Sequence, residues 1–182
     1  MGHHCVVVQK GLKRGFILFI VSEIMLFFGF FWAFFHNGTN VDSVLGGYFP
    51  PEGIIIINPF GIPLYNTFLL ILSGISVTWT HKGIILFDLS VEVMDGFLIT
   101  IFLGWFFLIL QIMEYYESFF NYNDSSYSCA FFMLTGLHGM HVFVGVIFLF
   151  VCFLRYIRGH FTKQHHLGFE FAVWYWHFVD VV

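Results

Sequence analysis

Long apolar segments separated by shorter polar ones dominate this 182-residue chain. A helix needs about 20 mostly apolar residues to cross a bilayer. Four segments approach or exceed that length, and a fifth has about 15 residues, too few to cross by itself. The pattern predicts an all-α, polytopic transmembrane bundle that forms a single domain over residues 1–182. The five predicted helices cover about residues 15–35, 63–80, 93–113, 128–153 and 168–182.

The charged residues support this alternation of spans. Five alternating helices bring every Lys and Arg to one face of the membrane, and one missed helix would scatter them. All charged residues on the opposite face are acidic. The positive-inside rule then assigns the basic face to the cytoplasm or the mitochondrial matrix. The basic residues are Lys10, Lys13, Arg14, Lys82, Arg155, Arg158 and Lys163, and the acidic ones are Asp42, Glu52, Glu114, Glu117 and Asp124.

Composition narrows the class of protein further. Hydrophobic residues make up 59% of the chain and charged residues 10%, more apolar surface than a soluble domain of this length can bury. Because no basic run matches a nucleic-acid backbone, we expect no nucleic-acid partner. The three cysteines are far apart, which argues against a disulfide framework or a thiolate metal site. The 28 Phe residues favour coding by an AT-rich organelle genome.

Glu23 is the first candidate for chemistry, because it lies about 12 Å into the first predicted span at helical rise. An ionisable group there costs about 2.5–3.5 kcal/mol to insert. Desolvation favours the neutral acid. Two interpretations remain open: a functional role as a proton site or a contact with polar lipid groups, or a structural role as a protonated carboxyl bonded to a neighbouring helix. A transporter or proton channel with Glu23 as its relay is weaker, because broken half-helices and an inverted repeat are not evident.

Two further polar groups lie within predicted helices. His138 and His141 are three residues apart and share a helix face, a spacing that can bind a metal or bridge helices. Glu170 and His177 also share a face, and Asp180 follows His177 by three residues, so it could orient the imidazole. We expect these five side chains to be structural polar anchors between helices.

The ten histidines raise a different possibility, a stand-alone membrane di-iron hydroxylase or desaturase. Such enzymes use clustered His boxes, which here would be His138 with His141, and His160 with His165 and His166. The spacing of the second group is one residue longer than the usual double-His box. The first group would lie inside the bilayer, away from the second. Three boxes facing one metal pair are not evident.

At these same residues the sequence resembles subunit III of cytochrome c oxidase in its mitochondrial form. The most specific stretch is WYWHFVDVV with an upstream HH-x-GFE. The resemblance covers nearly the whole chain, and its segments follow the family order. They are VQKGLKRGFILFIVSEIMLFFGFFWAFFH, LGGYFPPEGI, NPFGIPLYNTFLLILSGISVTWTHK, LQIMEYYES, FFMLTGLHGMHVFVGVIFLFVCFLR and HFTKQHHLGFEFAVWYWHFVDVV.

The resemblance implies a non-redox core subunit of respiratory complex IV, a multi-pass protein of the mitochondrial inner membrane with its basic loops facing the matrix. Such a subunit stabilises subunit I and binds phospholipid such as phosphatidylglycerol or cardiolipin, while electrons pass from cytochrome c to O2 and protons are pumped. Haem a and copper belong to partner subunits I and II, so we expect no cofactor, metal ligand or catalytic residue in this chain.

Specific residues carry over from the family by position. Glu23 matches a buried third-helix carboxylate that is linked to proton uptake. His4 and Arg155 match positions near lipid head groups on the matrix side, where a phosphate would be attracted. The five helices correspond to family helices three to seven. The resemblance therefore implies that a separate polypeptide supplies the first two helices and the rest of the seventh.

Overall fold

The structure, a computed structural model, describes residues 4–40, 47–51, 53–86 and 90–182. Those residues form five α-helices and no strand, which confirms the predicted helical transmembrane bundle. The first four helices are long and apolar enough to cross a membrane, whereas the fifth has 15 residues. The helices are α1 (Val6–Thr39), α2 (Ile62–Leu86), α3 (Val91–Glu117), α4 (Ser126–Ile157) and α5 (Leu167–Val181).

The helices extend beyond the apolar segments from which they were predicted. α1 begins at Val6, so Lys10, Lys13 and Arg14 lie on the helix and not in a loop before it. Long basic side chains can lie along a helix end while their charged groups reach the polar interface. The hydropathy pattern therefore marks the part of the helix in hydrocarbon, and the helix itself continues through the interface.

Local sequence explains where several helices begin and end. The Ser90 hydroxyl accepts a hydrogen bond from the Val93 amide at 3.3 Å and caps the start of α3. α4 ends in a Schellman motif, in which the His160 amide donates to the Arg155 carbonyl at 3.0 Å. Gly159 supplies the left-handed residue of that motif, with φ of 68°.

One end of the bundle is formed by the starts of α1, α3 and α5 and the ends of α2 and α4. Lys13 at the start of α1 pairs with Glu170 at the start of α5, with 2.6 Å between Nζ and Oε2. The Ser90 amide at the start of α3 donates to the Tyr156 hydroxyl near the end of α4 at 3.0 Å. We call this the basic end, because all seven Lys and Arg residues lie on these helix ends or in the α4–α5 connection.

The other end carries the acidic residues of the described chain. Glu114 and Glu117 lie in the last turns of α3, and Asp124 precedes α4. The remaining two residues of the predicted acidic face, Asp42 and Glu52, lie outside the described residues. We call this the acidic end.

α2 and α3 form a close antiparallel pair built on small residues. Gly96 of α3 lies against the side chain of Thr80, and Gly83 of α2 lies against the side chain of Val93. The hydroxyls of Ser76 and Thr100 are hydrogen-bonded at 2.7 Å between the two helices. Small residues and interhelical hydroxyl bonds are how membrane helices gain close packing without a hydrophobic driving force.

α5 lies at the centre of the bundle, and α1 lies outside it. Trp176 of α5 is only 1% exposed, and its ring lies over Gly104 of α3 and Gly145 of α4. Its indole N–H donates to the Ser73 hydroxyl of α2 at 3.0 Å. Among the described helices, α1 packs against α4 and α5 only, and its one buried residue is Phe27.

Candidate functional site

Glu23 and His141 form a polar pair between α1 and α4. The distance between Glu23 Oε2 and His141 Nε2 is 2.8 Å, and the side chains are 19% and 8% exposed. His141 Nδ1 lies 2.8 Å from the backbone carbonyl of Leu137, one turn earlier in α4. The sequence indicates that each residue needs a partner, because each is ionisable within an apolar span. No local spacing could reveal that each is the other's partner, because 118 positions separate them.

The hydrogen bonds of His141 determine what the pair can do chemically. The Leu137 carbonyl can only accept, so Nδ1 must carry a hydrogen. One further proton remains for the contact between Nε2 and Oε2. It resides either on Glu23, which gives a neutral acid and a neutral imidazole, or on His141, which gives an ion pair. The arrangement is therefore a site that holds one transferable proton between two helices.

His138 has a different role from His141, although the two share a helix face. Its Nε2 lies 3.0 Å from the Val179 carbonyl of α5, to which it donates a hydrogen bond. The Phe107 ring of α3 lies edge-on to its imidazole, with 5.6 Å between the centroids. The two histidines thus connect α4 to two different neighbours, α1 and α5.

Glu170 joins α5 to α1 at the basic end. Besides its 2.6 Å contact with Lys13, its Oε1 lies 3.9 Å from His166 Nε2. His166 is buried, and its Nδ1 lies 3.0 Å from the Thr162 carbonyl. The His166 ring also meets the His81 ring of α2 edge-on, with 5.4 Å between the centroids.

His177 and Asp180 both face α2. His177 Nε2 lies 3.2 Å from the Thr78 hydroxyl, which itself donates to the Gly74 carbonyl at 2.9 Å. Asp180 Oδ2 and His177 Nδ1 approach Gly74 so closely that a Cβ there would lie 2.5 Å and 3.8 Å from them. Glu170 and His177 therefore share a face of α5, as the spacing predicts, yet they contact different helices.

A cavity of about 580 Å³ opens at the acidic end, beside the last residues of α5. Buried Asn66 lines it, and neither atom of its amide group has a partner among the described residues. Asp180 Oδ1 is likewise buried and unpartnered there, and Glu114 has a 3.4 Å contact with Gln111. Sequence reasoning missed Asn66 and counted Glu114 only as a surface charge. The available signal was an amide within an apolar span.

The two residues expected near lipid head groups both lie at the basic end. His4 is exposed just before α1, and its carbonyl accepts from the Gln9 side chain at 2.9 Å. Arg155 is exposed in the last turn of α4. Its guanidinium carbon lies 4.8 Å from the centre of the Phe161 ring, and Nη1 lies beside Gly168 of α5.

The di-iron alternative finds no support. His138 and His141 lie within α4 and contact groups of α5 and α1, whereas the second group of histidines follows the end of α4. From His141 to the helix end the separation is about 24 Å at 1.5 Å per residue. Across the part of the chain that the structure describes, no three His, Cys, Asp or Glu side chains are grouped to hold a metal.

Comparison with known proteins identifies the family to which the chain is similar. The family profile described as "Cytochrome c oxidase subunit III" matches residues 1–182. The chain is 52% identical over 181 residues to "Cytochrome c oxidase subunit 3" of Felis catus. The aligned region covers 100% of this chain and 69% of that protein. The proteins of the same name from Equus caballus and Tetraodon nigroviridis are 51% and 52% identical, with the same coverage.

Proposed function

The chain belongs to the cytochrome c oxidase subunit III family, and on that premise we propose how it serves respiratory complex IV. It is a non-redox subunit that packs against subunit I and steadies it, in a complex that also contains subunit II. Haem a and copper remain in those partners. Electron transfer from cytochrome c to O2 and proton pumping take place beside this chain, which contributes packing, phospholipid binding and a buried carboxylate.

The observation that carries the proposal is the exposure of α1. This helix has 34 residues and buries only Phe27 inside the chain. Large apolar side chains lie along its outer surface, among them Trp32 at 65% exposure. Such a surface in a subunit of a membrane complex suits lipid and the helices of neighbouring polypeptides. We assign it to subunit I and to bound phospholipid.

The cavity at the acidic end supports a contact with a further helical segment. Towards the acidic end, α2 extends from Gly74, the residue opposite Asp180, back to its first residue, Ile62, a distance of 12 residues or about 18 Å at helical rise. The space beside the end of α5 is therefore long enough for about three helical turns. Unpartnered Asn66 and Asp180 favour an occupant with hydrogen-bonding side chains. We propose that a helical segment along the axis of α5 fills it.

The basic end supports a lipid site and an orientation. We propose that Arg155 and His4 bind the phosphate of an acidic phospholipid such as phosphatidylglycerol or cardiolipin. The basic end then faces the matrix of the mitochondrial inner membrane, where Lys and Arg are retained by the positive-inside rule. Phe161 and Gly168 hold the Arg155 side chain near the ends of α4 and α5.

The remaining polar residues fit two roles within the subunit. We propose that Glu23 is the proton-related carboxylate, because it lies in an apolar span and shares one proton with His141. The other groups act as anchors, because each joins two helices. His138 joins α4 to α5, Glu170 joins α5 to α1, and His177 with Asp180 joins α5 to α2.

Purification of the native complex through this chain tests the proposal. We expect subunits I and II with their haem a and copper, together with phospholipid. Mass spectrometry identifies the polypeptides, and metal analysis gives the haem iron and copper content. Iron bound to the separated chain, without subunits I and II in the preparation, would overturn the assignment.

Lipid binding has its own test. Arg155→Ala should reduce the phospholipid that remains with the purified complex and shorten its active life during turnover. Arg158→Ala is the matched control, because Arg158 lies at the end of the same helix and removes the same charge. Equal lipid loss in both variants would indicate general charge attraction, and unchanged lipid content in Arg155→Ala would contradict the site.

A further inference from the structure

We propose that His166 and Glu170 form a pH-dependent clasp at the basic end of the bundle, which closes when His166 binds a proton. The closed clasp holds the start of α1 against α5 through Lys13. His166 directly precedes the first residue of α5, and Glu170 follows it by one helical turn, so both lie where α5 meets the α4–α5 connection. The proposal goes beyond the proposed function, since it concerns a movement between helices of this chain.

The hydrogen bonds of His166 supply the first step of the argument. Its Nδ1 lies 3.0 Å from the Thr162 carbonyl, which can only accept, so Nδ1 carries a hydrogen. A neutral imidazole has no second N–H, which leaves Nε2 bare. This nitrogen faces Glu170 Oε1 at 3.9 Å, a distance too long for a hydrogen bond. With neutral His166, two acceptors therefore face each other and the clasp is open.

Glu170 supplies the second step, because its other oxygen already has a cationic partner. Oε2 lies 2.6 Å from Lys13 Nζ, a contact that favours an ionised carboxylate and leaves Oε1 for a second donor. A proton from water that binds to His166 Nε2 places an N–H opposite Oε1. An approach of about 1 Å then forms a charge-assisted hydrogen bond. One N–H bond forms, no bond of Glu170 breaks, and the charge of the site rises by one.

Burial couples protonation of His166 to closure of the clasp. The residue is only 6% exposed, so an imidazolium there needs a counter-charge, which Glu170 supplies. Residues 162–165 before it are exposed, so the site lies beside water that can supply the proton. The charged form gains a partner by closing, and the neutral form gains none. Closure is therefore favoured at low pH and is lost as pH rises through about 6.5, where imidazoles commonly titrate.

Charged and titratable groups reach this site from each neighbouring element. Lys13 approaches from α1, His81 from α2 and Arg155 from the end of α4. The His81 ring lies edge-on to the His166 ring, with 5.4 Å between the centroids. Lys13 and Arg155 oppose an added positive charge, but Lys13 is 40% exposed and Arg155 is exposed, so water and salt screen them. Exposed side chains on the surrounding elements are Lys82, Glu92, Asp95, Arg158, Lys163 and His165.

The loose attachment of α1 makes this helix the element that responds. A closed clasp fixes the Glu170 side chain in the conformation that contacts Lys13, so the ion pair no longer carries the entropic cost of ordering that side chain. Because α1 buries a single residue within the chain, a stronger contact at its start changes a large part of its attachment. The clasp therefore tightens the start of α1 as the solution at the basic end becomes more acidic.

Hydrogen–deuterium exchange of the purified complex, read by mass spectrometry, tests the proposal at about pH 5.5 and about pH 8.5, on either side of imidazole titration. Rates are corrected for the pH dependence of amide exchange in unfolded peptides. We expect residues 6–16 to exchange about two- to fivefold more slowly at the acidic pH, the effect of a partly exposed ion pair. His166→Gln and Glu170→Gln should each abolish this difference. His160→Gln is the matched control, because it removes an exposed imidazole from the same connection and should retain the difference.

Lys13→Gln separates closure of the clasp from its effect on α1. Residues 167–172 should then keep their pH-dependent exchange, while residues 6–16 lose it. Two results would overturn the proposal: an unchanged pH dependence in His166→Gln, or faster exchange of α1 at acidic pH, which would mean that His166 takes Glu170 away from Lys13. If Glu170→Gln fails to assemble, His166→Gln keeps the test available, because it leaves the contact between Lys13 and Glu170 in place.

Discussion

α1 and α5 have similar apolar character and opposite positions in the bundle. α1 has 34 residues and one buried side chain, while α5 has 15 residues and seven buried side chains. Lipid solvates an apolar helix as well as protein does, so length and hydropathy do not determine which helix becomes central. α5 is central because Gly104 and Gly145 on its neighbours make room for Trp176. α1 is attached at a few polar and aromatic contacts.

Trp176→Ala tests the central position of α5 and should have the largest effect of the substitutions considered. Removal of this buried indole leaves a cavity between α3, α4 and α5 and removes the donor to Ser73, so we expect a loss of about 3–5 kcal/mol in unfolding free energy. Thermal or denaturant unfolding of the solubilised complex measures it.

Trp32→Ala is the matched control on α1, because this Trp is 65% exposed within the chain. If lipid covers Trp32, the substitution should change the unfolding free energy by no more than about 0.5 kcal/mol. A cost as large as that of Trp176→Ala would show that a partner subunit buries this face of α1.

A smaller effect is expected from Gly104→Ala. The added methyl would lie 2.6 Å from Val146 Cγ2 and 2.7 Å from the Trp176 ring, so the helices must separate. Overpacking of this kind costs about 1–3 kcal/mol. Gly29→Ala on α1 is the control, with nothing within 4 Å, and it should be neutral or slightly stabilising. Equal melting temperatures for the two variants would contradict the difference in packing between α5 and α1.

The next prediction concerns the polar attachment of α1. Glu23→Leu leaves His141 Nε2 buried without a partner, which should cost about 1–3 kcal/mol in unfolding free energy. Glu23→Gln should cost under about 1 kcal/mol, because its amide donates to the same nitrogen. Unfolding of both variants in one detergent gives the comparison. A loss of about 3–5 kcal/mol in Glu23→Gln would indicate a broken ion pair instead.

The sequence contains enough information to predict the number of helices, the sharing of one end by all basic residues, and the need of Glu23 for a partner. The amphipathic pattern that would identify a buried face in a soluble protein is missing here, because both faces of each helix are apolar. Only the small residues, such as Gly96, Gly104 and Gly145, mark the packed faces. Pairs such as Glu23 with His141 join distant segments, so helix periodicity cannot reveal them.

The smallest expected effect belongs to the second polar attachment of α1, between Lys13 and Glu170. Their side chains are 40% and 23% exposed, so water and salt screen the 2.6 Å contact. We expect Lys13→Gln to lower the unfolding free energy by about 0.2–1 kcal/mol at low salt. Lys10→Gln on the same exposed turn of α1 is the control for loss of charge alone. The difference between the two variants should disappear as salt is added, since screening weakens the ion pair in the wild type. A difference that persists in high salt would mean that Lys13 stabilises α5 by packing against Trp174, whose ring centre lies 6.0 Å from Nζ.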